Sequence, residues 1–401
     1  MTASTVTSTP QRLGLWLALV VLIGLNLRPF ITATGPVVGE IASSTGLSFQ
    51  GLAWLTLLPM FLMGVFAFLL PSLRRIASTR TAMLGALLIL GLGCVLRLWV
   101  PNGLTLILTA GLCGIGVAVL QALLPGIIKQ QFPAHVAPVT GLYSAMLMGG
   151  GALGAQLTPM VSEVANWQWG LAMWALPIPF ALLCAWWILP KDRPNPQSSL
   201  PAGLLMRRPR TWLLIFSFGL INSGYATIVA WLSPYYQELG WSAASSGSLI
   251  AVLSIAQAAS ALSLPTLAAR NLDRRKWLWL ALSCQALGFA SFAFWPTSAP
   301  YFWSAIMGIG LGGCFALTLV VALDHFTNPA QAGTLSALMQ GGGFIITAAG
   351  PWVSASLREL SGSFVYAWSV HLCLVLVVAG LVWRFIPAHY ERVMATQTLA
   401  S

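Results

Sequence analysis

Long apolar runs recur along this chain, separated by short polar or glycine- and proline-containing breaks. A helix rises about 1.5 Å per residue, so about 20 mainly apolar residues cross the hydrocarbon core of a bilayer. By that measure the sequence predicts about twelve spanning helices, at 13–37, 50–72, 81–100, 104–129, 138–162, 168–189, 211–236, 243–268, 276–295, 300–324, 331–357 and 364–386. Only one connection is long and polar, from Pro190 to Arg210, and it contains Lys191, Asp192, Arg193, Pro194, Asn195 and Pro196. It splits the spans six and six. The expected fold is therefore all-α and integral to the membrane, with twelve transmembrane helices in two pseudo-symmetric six-helix bundles. The expected units are an N-terminal bundle over 1–189, a linker over 190–210, and a C-terminal bundle with a short tail over 211–401. Only Arg12 precedes the first run and no small-residue cleavage site follows it, so that run reads as a span rather than a cleaved leader.

Internal repetition supports the division. Gly114-Ile115-Gly116 recurs as Gly308-Ile309-Gly310 and Phe132 as Phe326, each 194 positions later. Gly149-Gly150-Gly151 and Pro159 recur as Gly341-Gly342-Gly343 and Pro351, 192 positions later. Leu25-Asn26, Pro36, Glu40 and Gly51 have counterparts in Ile221-Asn222, Pro234, Glu238 and Gly247. Matches in constant order at nearly constant offset are the mark of two parallel repeats, as in carriers built from internal repeats.

Composition changes the picture in one respect. Of 401 residues 58% are hydrophobic and 7% charged, against about 25% charged in soluble domains. Too few charges remain to cover a water-facing surface. The net charge of +11 would suggest nucleic acid in a soluble chain, but here the basic residues cluster on one side of the expected bilayer. That side carries Arg12, Arg74, Arg75, Arg80, Lys129, the basic residues of the linker, Arg270, Arg274, Arg275, Lys276, Arg384 and Arg392; the other carries only Arg97 and Arg358. This asymmetry predicts a multi-pass protein of the cytoplasmic (inner) membrane with both termini cytoplasmic, in contact with lipid headgroups and not with nucleic acid. The six cysteines all lie in apolar segments with no C-x-x-C pair, so they read as packing residues.

Arg28 is left over. It lies about 15 residues into the first span, about 22 Å along it, beyond the midplane. An arginine at that depth costs at least ~2.5 kcal/mol and therefore faces a polar cavity and a partner rather than lipid. The eight acids all fall at span ends: Glu40, Glu163, Glu238 and Glu359 at one side, Asp192, Asp273, Asp324 and Glu391 at the other. With no acid at matching depth, the counter-charge expected for Arg28 is an anion that comes and goes. The other polar residues within spans are mostly neutral, among them Asn26, Thr32, Thr34, Gln121, Tyr143, Ser144, Asn222, Tyr225, Thr227, Gln257, Thr318 and Gln340. On a 3.6-residue period Arg28, Thr32 and Gly35 share a face, as do Asn222, Tyr225 and Ala226. Interhelical hydrogen bonding is the alternative role for each. His371 reads as a structural histidine near the membrane interface, and His325 as a helix-end partner of Asp324. Gly308-Ile309-Gly310-Leu311-Gly312-Gly313 satisfies G-x-G-x-x-G, but it sits inside an apolar helix without the strand a nucleotide fold requires, so it reads as close helix packing. No H-E-x-x-H, Walker lysine or nucleophile elbow is present, which argues against an enzyme, a metal site or a cofactor.

Twelve spans, a six-plus-six repeat and a basic middle loop resemble the major facilitator superfamily. Ala268-Ala269-Arg270-Asn271-Leu272-Asp273-Arg274-Arg275 is similar to its charged gate motif. The matching first-half loop, from Leu73 to Arg80, keeps the arginines but lacks the aspartate. More narrowly, most of the chain resembles the cyanate and nitroimidazole permease family, its cyanate branch above all. The resemblance runs through Gly24 to Pro29, Gln121-Ala122 with Pro125 and Ile128-Lys129, Met148 to Gly151, Gly219 to Ala226, Ala230 to Leu232, Ala322 to His325 and Met339 to Gly341. It implies a secondary active transporter, working by alternating access on a small anionic or heteroaromatic solute. The expected solute site is Arg28 with Asn26, Thr32, Gln121, Tyr143, Asn222, Tyr225 and Gln340. The expected gates are Arg74, Arg75, Asp273, Arg274, Arg275, Asp324 and His325. A monomer without cofactor is expected. An exporter of xenobiotics with the same fold, a membrane sensor and a membrane-embedded enzyme remain as alternatives.

Overall fold

The computed structural model describes residues 10–47, 49–190 and 202–394, and among them every regular element is helical. Residues 191–201 of the expected linker lie outside the described residues. The long helices, in order, are α1 (Pro10–Asn26, resuming as Pro29–Thr32), α2 (Phe49–Ile76), α3 (Thr79–Val95), α4 (Gly103–Gln131), α5 (Val136–Val164) and α6 (Trp167–Ala172 and Ile178–Ile188). They continue as α7 (Pro209–Glu238), α8 (Ala243–Ala268), α9 (Arg275–Phe294), α10 (Pro300–Asp324), α11 (Pro329–Ser361) and α12 (Val365–Val382).

Eleven of these are long and apolar enough to cross a membrane. The remaining one, α11, has the length but spends its sequence on Gln331, Thr334, Ser336, Gln340, Gly341 to Gly343 and Thr347. Its position explains this. α11 packs against α2, α4, α7, α10 and α12, so most of its surface meets protein rather than lipid.

Helices in lipid gain little from hydrophobic association and instead rely on close van der Waals packing at small residues. The contacts between the two groups of six follow that rule. α2 packs on α11 and α5 packs on α8; exchanging the equivalent helices of the two halves, α2 with α8 and α11 with α5, turns the first pair into the second, as a two-fold repeat demands. Within each group α5 packs on α1 and α11 on α7. Here the repeated glycine runs have a concrete purpose. A Cβ on Gly150 would fall well inside contact distance of the Leu25 carbonyl oxygen, and one on Gly154 would lie 2.8 Å from Pro29 Cα. A Cβ on Gly350 of α11 would lie 2.9 Å from the Ser223 carbonyl oxygen of α7.

The first span departs from the continuous helix expected over 13–37. α1 stops at Asn26, bends through Leu27 and Arg28, and restarts for one turn at Pro29. Proline has no N–H, so the Leu25 carbonyl loses the partner a continuous helix would supply, while Pro29 is well placed at the first position of a new turn. That turn ends at Thr32, and a short helix Val38–Thr45 leads to α2. Arg28 and Thr32 stay linked, the Thr32 hydroxyl donating to the Arg28 carbonyl at 3.2 Å, but Gly35 lies in the turn beyond and does not extend their shared face.

Arg97, counted with Arg358 on the side opposite the basic loops, lies near the end of the expected span 81–100 and is fully buried. It lies on a 3-10 turn, Leu96–Trp99, that closes α3, and its Nη1 donates to the Phe30 carbonyl at 3.1 Å.

Candidate functional site

The break in α1 delivers Arg28 to the middle of the molecule. The residue is 1% exposed, and among the described residues no group accepts a hydrogen bond from its Nε, Nη1 or Nη2. Described ion pairs join Arg274 to Asp324, Arg275 to Asp273 and Arg358 to Glu238; none reaches Arg28. Its guanidinium instead lies over two aromatic rings, 5.3 Å from the Tyr225 centroid and 5.8 Å from that of Phe344. A ring face attracts a cation, more so where water is excluded. It supplies no hydrogen-bond acceptor in the guanidinium plane, so three nitrogens keep their donors.

The neighbours are equally under-used. Tyr143 of α5, fully buried, lies beside Gln121 and within electrostatic reach of Arg28, and its hydroxyl has no hydrogen-bond partner of standard geometry. Both amide atoms of Gln121 in α4 are buried and, among the described residues, have no hydrogen-bond partner of standard geometry. Gln340 of α11 donates from Nε2 to the Gln121 carbonyl at 3.4 Å and to the Ser336 hydroxyl at 3.3 Å, leaving Oε1 free. Buried polar groups ordinarily find partners. Here a cation, a phenol and two amides with spare hydrogen-bonding capacity lie together.

Of the sequence-selected residues, the structure thus brings together Arg28, Gln121, Tyr143, Tyr225 and Gln340, from α1, α4, α5, α7 and α11. Asn26 and Asn222 behave as a repeat pair: each side-chain amide donates back to its own helix, to Leu22 at 2.7 Å and to Phe218 at 2.8 Å. That satisfies their donors locally. Thr32 sits where a Cβ on Gly151 would touch it, 3.3 Å from its methyl group, so it packs the break against α5. Phe344 was not selected by sequence reasoning, because an aromatic residue in a span is usually packing. Its position directly after Gly341-Gly342-Gly343, the counterpart of the run that cradles Arg28, is the signal that could have singled it out.

The end of the molecule carrying the basic loops is closed across the repeat. Lys129, at the end of α4, donates to the Leu323 carbonyl at the end of α10. Gly126 and Gly333 meet backbone to backbone, a Cβ on Gly333 lying 3.0 Å from Gly126 Cα. A cavity of about 340 Å³ lies beside this contact, lined by residues including Lys129, Ala134, Ala269, Arg274, Asp324 and Thr327. Arg274 bonds Asp324 at 3.1 Å and the carbonyls of Ala268 and Asn271. Asp273 holds Arg275 through both carboxylate oxygens, at 2.6 and 2.9 Å, and that bond keeps its carboxyl below the usual range. Arg74 and Arg75 fall in the last turn of α2, and their side chains lie outside the described residues.

His325 does not pair with Asp324. Its Nδ1 meets the Val321 carbonyl at 2.7 Å and its ring stacks on Tyr390 at 3.8 Å. Burial pushes its pKa down to about 4. His371 is buried within α12, stacked on Phe289 and bonded through Nε2 to Ser354 at 3.2 Å.

A multi-pass membrane protein whose helices repeat six on six, with an unpartnered cation enclosed between the repeats and a closed contact at one end, has the form of a membrane transporter. The chain belongs to the Major Facilitator Superfamily, which it matches over residues 17–351. It is 41% identical to the cyanate transport protein CynX of Escherichia coli (strain K12), over 94% of this chain and 98% of that one. It is 29% identical to a 2-nitroimidazole transporter of the same organism, over 96% and 97% of the respective chains. Among solved structures it is similar to the proton:xylose symporter XylE, with a TM-score of 0.75 at 13% identity over 94% of this chain and 96% of that one, a likeness of fold.

Proposed function

We propose that this protein is a secondary active permease of the cytoplasmic membrane that moves a small anionic or electron-rich heteroaromatic solute, cyanate-like or nitroimidazole-like, by alternating access. The observation that carries the reading is Arg28: enclosed, with three unpartnered nitrogens and two aromatic faces beside them. A buried unpaired charge is costly, and a solute that accepts its hydrogen bonds relieves that cost on arrival. The fork suits a planar or linear anion, which it meets edge-on, while Tyr225 and Phe344 suit a flat π-system. Gln121, Tyr143 and Gln340 supply further donors and acceptors, and Asn26 and Asn222 offer their carbonyl oxygens. The names of the two Escherichia coli relatives, a cyanate and a 2-nitroimidazole transporter, agree with these chemistries.

In this reading residues 1–189 and 211–401 move as two units about the solute. The basic end is cytoplasmic, with both termini, because its Lys and Arg excess sets orientation. Lys129 on Leu323, with Gly126 on Gly333, seals the cytoplasmic mouth in the form described. Arg274, Asp324 and the Asp273–Arg275 pair brace the loops around that seal, and Arg74 and Arg75 are their first-half counterparts. The unit of transport is a monomer, and the chain is a carrier rather than an enzyme.

The test is binding and proteoliposome uptake of cyanate and 2-nitroimidazole by the wild type and by Arg28→Ala and Arg28→Lys. Truncating one partner of a buried charged hydrogen bond costs about 2–5 kcal/mol, so Arg28→Ala is expected to bind at least about thirtyfold more weakly. Arg28→Lys keeps the charge without the fork and is expected to fall between. A folded Arg28→Ala protein with unchanged affinity sinks the proposal.

A further inference from the structure

The buried guanidinium of Arg97 has no place in the solute site, and nothing in the charge pattern of its loop explains why it is fully enclosed. Its hydrogen bonding among the described residues is specific. Nη1 donates to the carbonyl of Phe30, two residues after Arg28, while Nε and Nη2 find no protein acceptor among the described residues. Phe30 belongs to the single turn Pro29–Thr32 that follows the break in α1. At the end of that turn the Ala33 amide bonds the Pro29 carbonyl and the Thr34 amide bonds the Ile31 carbonyl. The intervening Phe30 carbonyl is left to Arg97. Helix ends leave such carbonyls without intrahelical partners, and a cationic side chain satisfies them well.

The break is thus held from two sides. The glycines of α5 receive it, with Gly151 facing Arg28 and Gly154 facing Pro29, and the end of α3 anchors it through Arg97. Stability alone is a weak reason to keep a buried arginine with one hydrogen bond, since an apolar side chain of similar volume often serves as well. A fixed turn next to Arg28 is a stronger one.

We infer that Arg97 is a positioning residue for solute binding: by holding the Phe30 carbonyl it fixes the turn from which Arg28 projects. The inference rests on the reading of Arg28 as the solute anchor. A guanidinium whose base drifts by an ångström loses its fit to a small anion, whose few atoms offer no alternative contacts. Arg97 therefore acts on affinity through Arg28 without touching the solute.

The experiment compares wild type, Arg97→Met, Arg97→Lys, Arg28→Ala and the double variant Arg28→Ala/Arg97→Met as purified full chains. Cyanate and 2-nitroimidazole are the probes, in calorimetric titration and in proteoliposome uptake. Arg97→Met is expected to raise Kd and KM about tenfold to a hundredfold, the effect of losing a charge-assisted hydrogen bond, with Vmax changed less. Arg97→Lys, which keeps a cationic donor, is expected to recover part of that loss. Added to Arg28→Ala, Arg97→Met is expected to cost nothing further, a non-additivity that a general loss of stability would not produce. Amide hydrogen exchange over residues 27–33, read without solute, is expected to speed up in Arg97→Met and recover in Arg97→Lys.

Wild-type affinity within about twofold in Arg97→Met, full additivity in the double variant, or unchanged exchange over 27–33 would each overturn the inference. If Arg28→Ala loses binding and Arg97→Met does not, only the role of Arg97 falls. If Arg28→Ala itself binds normally, the solute site is elsewhere and both readings fall together. Should Arg97→Met fail to fold, Arg97→Gln, which gives up the charge and the reach to the Phe30 carbonyl, carries the test: wild-type affinity or wild-type exchange over 27–33 in that variant would overturn the inference.

Discussion

At the scale of single residues, what decides a role is the number of hydrogen-bonding atoms left over once the chain has satisfied itself. Asn26 and Asn222 donate to their own helices, and Thr32 does the same. Arg28, Tyr143 and Gln121 retain unused capacity in the same enclosed place, and the proposed solute site draws on that capacity. The sequence could identify Arg28 because a charge at that depth is improbable without a reason. It could not identify Phe344, whose ring is ordinary by type, nor Arg97, whose burial depends on α1 breaking where it does. His325 yields a prediction at this scale. Its folded-state pKa lies near 4, below the usual 6.5, because it is buried against Tyr390 with the charges of Arg210 and Lys129 nearby. A histidine held neutral by the fold binds protons more readily when unfolded, so stability falls as pH drops from about 6.5 toward 4. Thermal unfolding of wild type against His325→Asn should show the wild type losing more of its midpoint over that window, with the gap closing above neutrality. Equal slopes for both would contradict the assignment.

At the scale of helices, close approach dominates. The polar face expected from Arg28 through Gly35 fails because Pro29 and the following turn interrupt the helix, and helical periodicity cannot carry through a break. The glycine runs, by contrast, were recognisable as packing surfaces from their repetition; which glycine meets which backbone was not. That difference is testable with neighbouring residues. A Cβ at Gly150 collides with the Leu25 carbonyl, whereas one at Gly149 meets open space. Gly150→Ala is expected to destabilise the protein by about 1–3 kcal/mol, seen as a lower thermal midpoint in detergent and weaker solute binding through the displaced break. Gly149→Ala is expected to stay within about 0.5 kcal/mol of wild type. Similar behaviour in the two variants would remove the packing account. The same logic explains why α11 was recognisable as a span but is less apolar than the other eleven: a helix enclosed by five others has little lipid to dissolve in.

At the scale of the whole molecule, the repeat makes the transport cycle a matter of which end is sealed. In the form described, the basic end is joined by Lys129 to Leu323 and by the backbone contact of Gly126 with Gly333. Gly333→Leu would wedge that contact apart, and Lys129→Met would remove the hydrogen bond to the Leu323 carbonyl. Both are expected to lengthen the distance between spin labels at positions 134 and 327, measured by double electron–electron resonance, and Gly333→Leu to abolish uptake while leaving the protein folded. An unchanged distance distribution would mean that this contact does not set the state. The amino-acid sequence by itself determined the class of the protein. Few charges, apolar runs of bilayer length, a basic bias on one side and two offset copies of the same glycine pattern are local properties of the chain, and the bilayer leaves only one architecture open to them. It also marked Arg28 as the charge in need of a partner. Only the tertiary structure decided that no described group accepts a hydrogen bond from Arg28, that Phe344 joins Tyr225 beside the guanidinium, and that Arg97 reaches back to hold the Phe30 carbonyl. Those facts depend on where a helix breaks and which helices meet there, and the energy that settles them belongs to contacts between residues far apart in the chain.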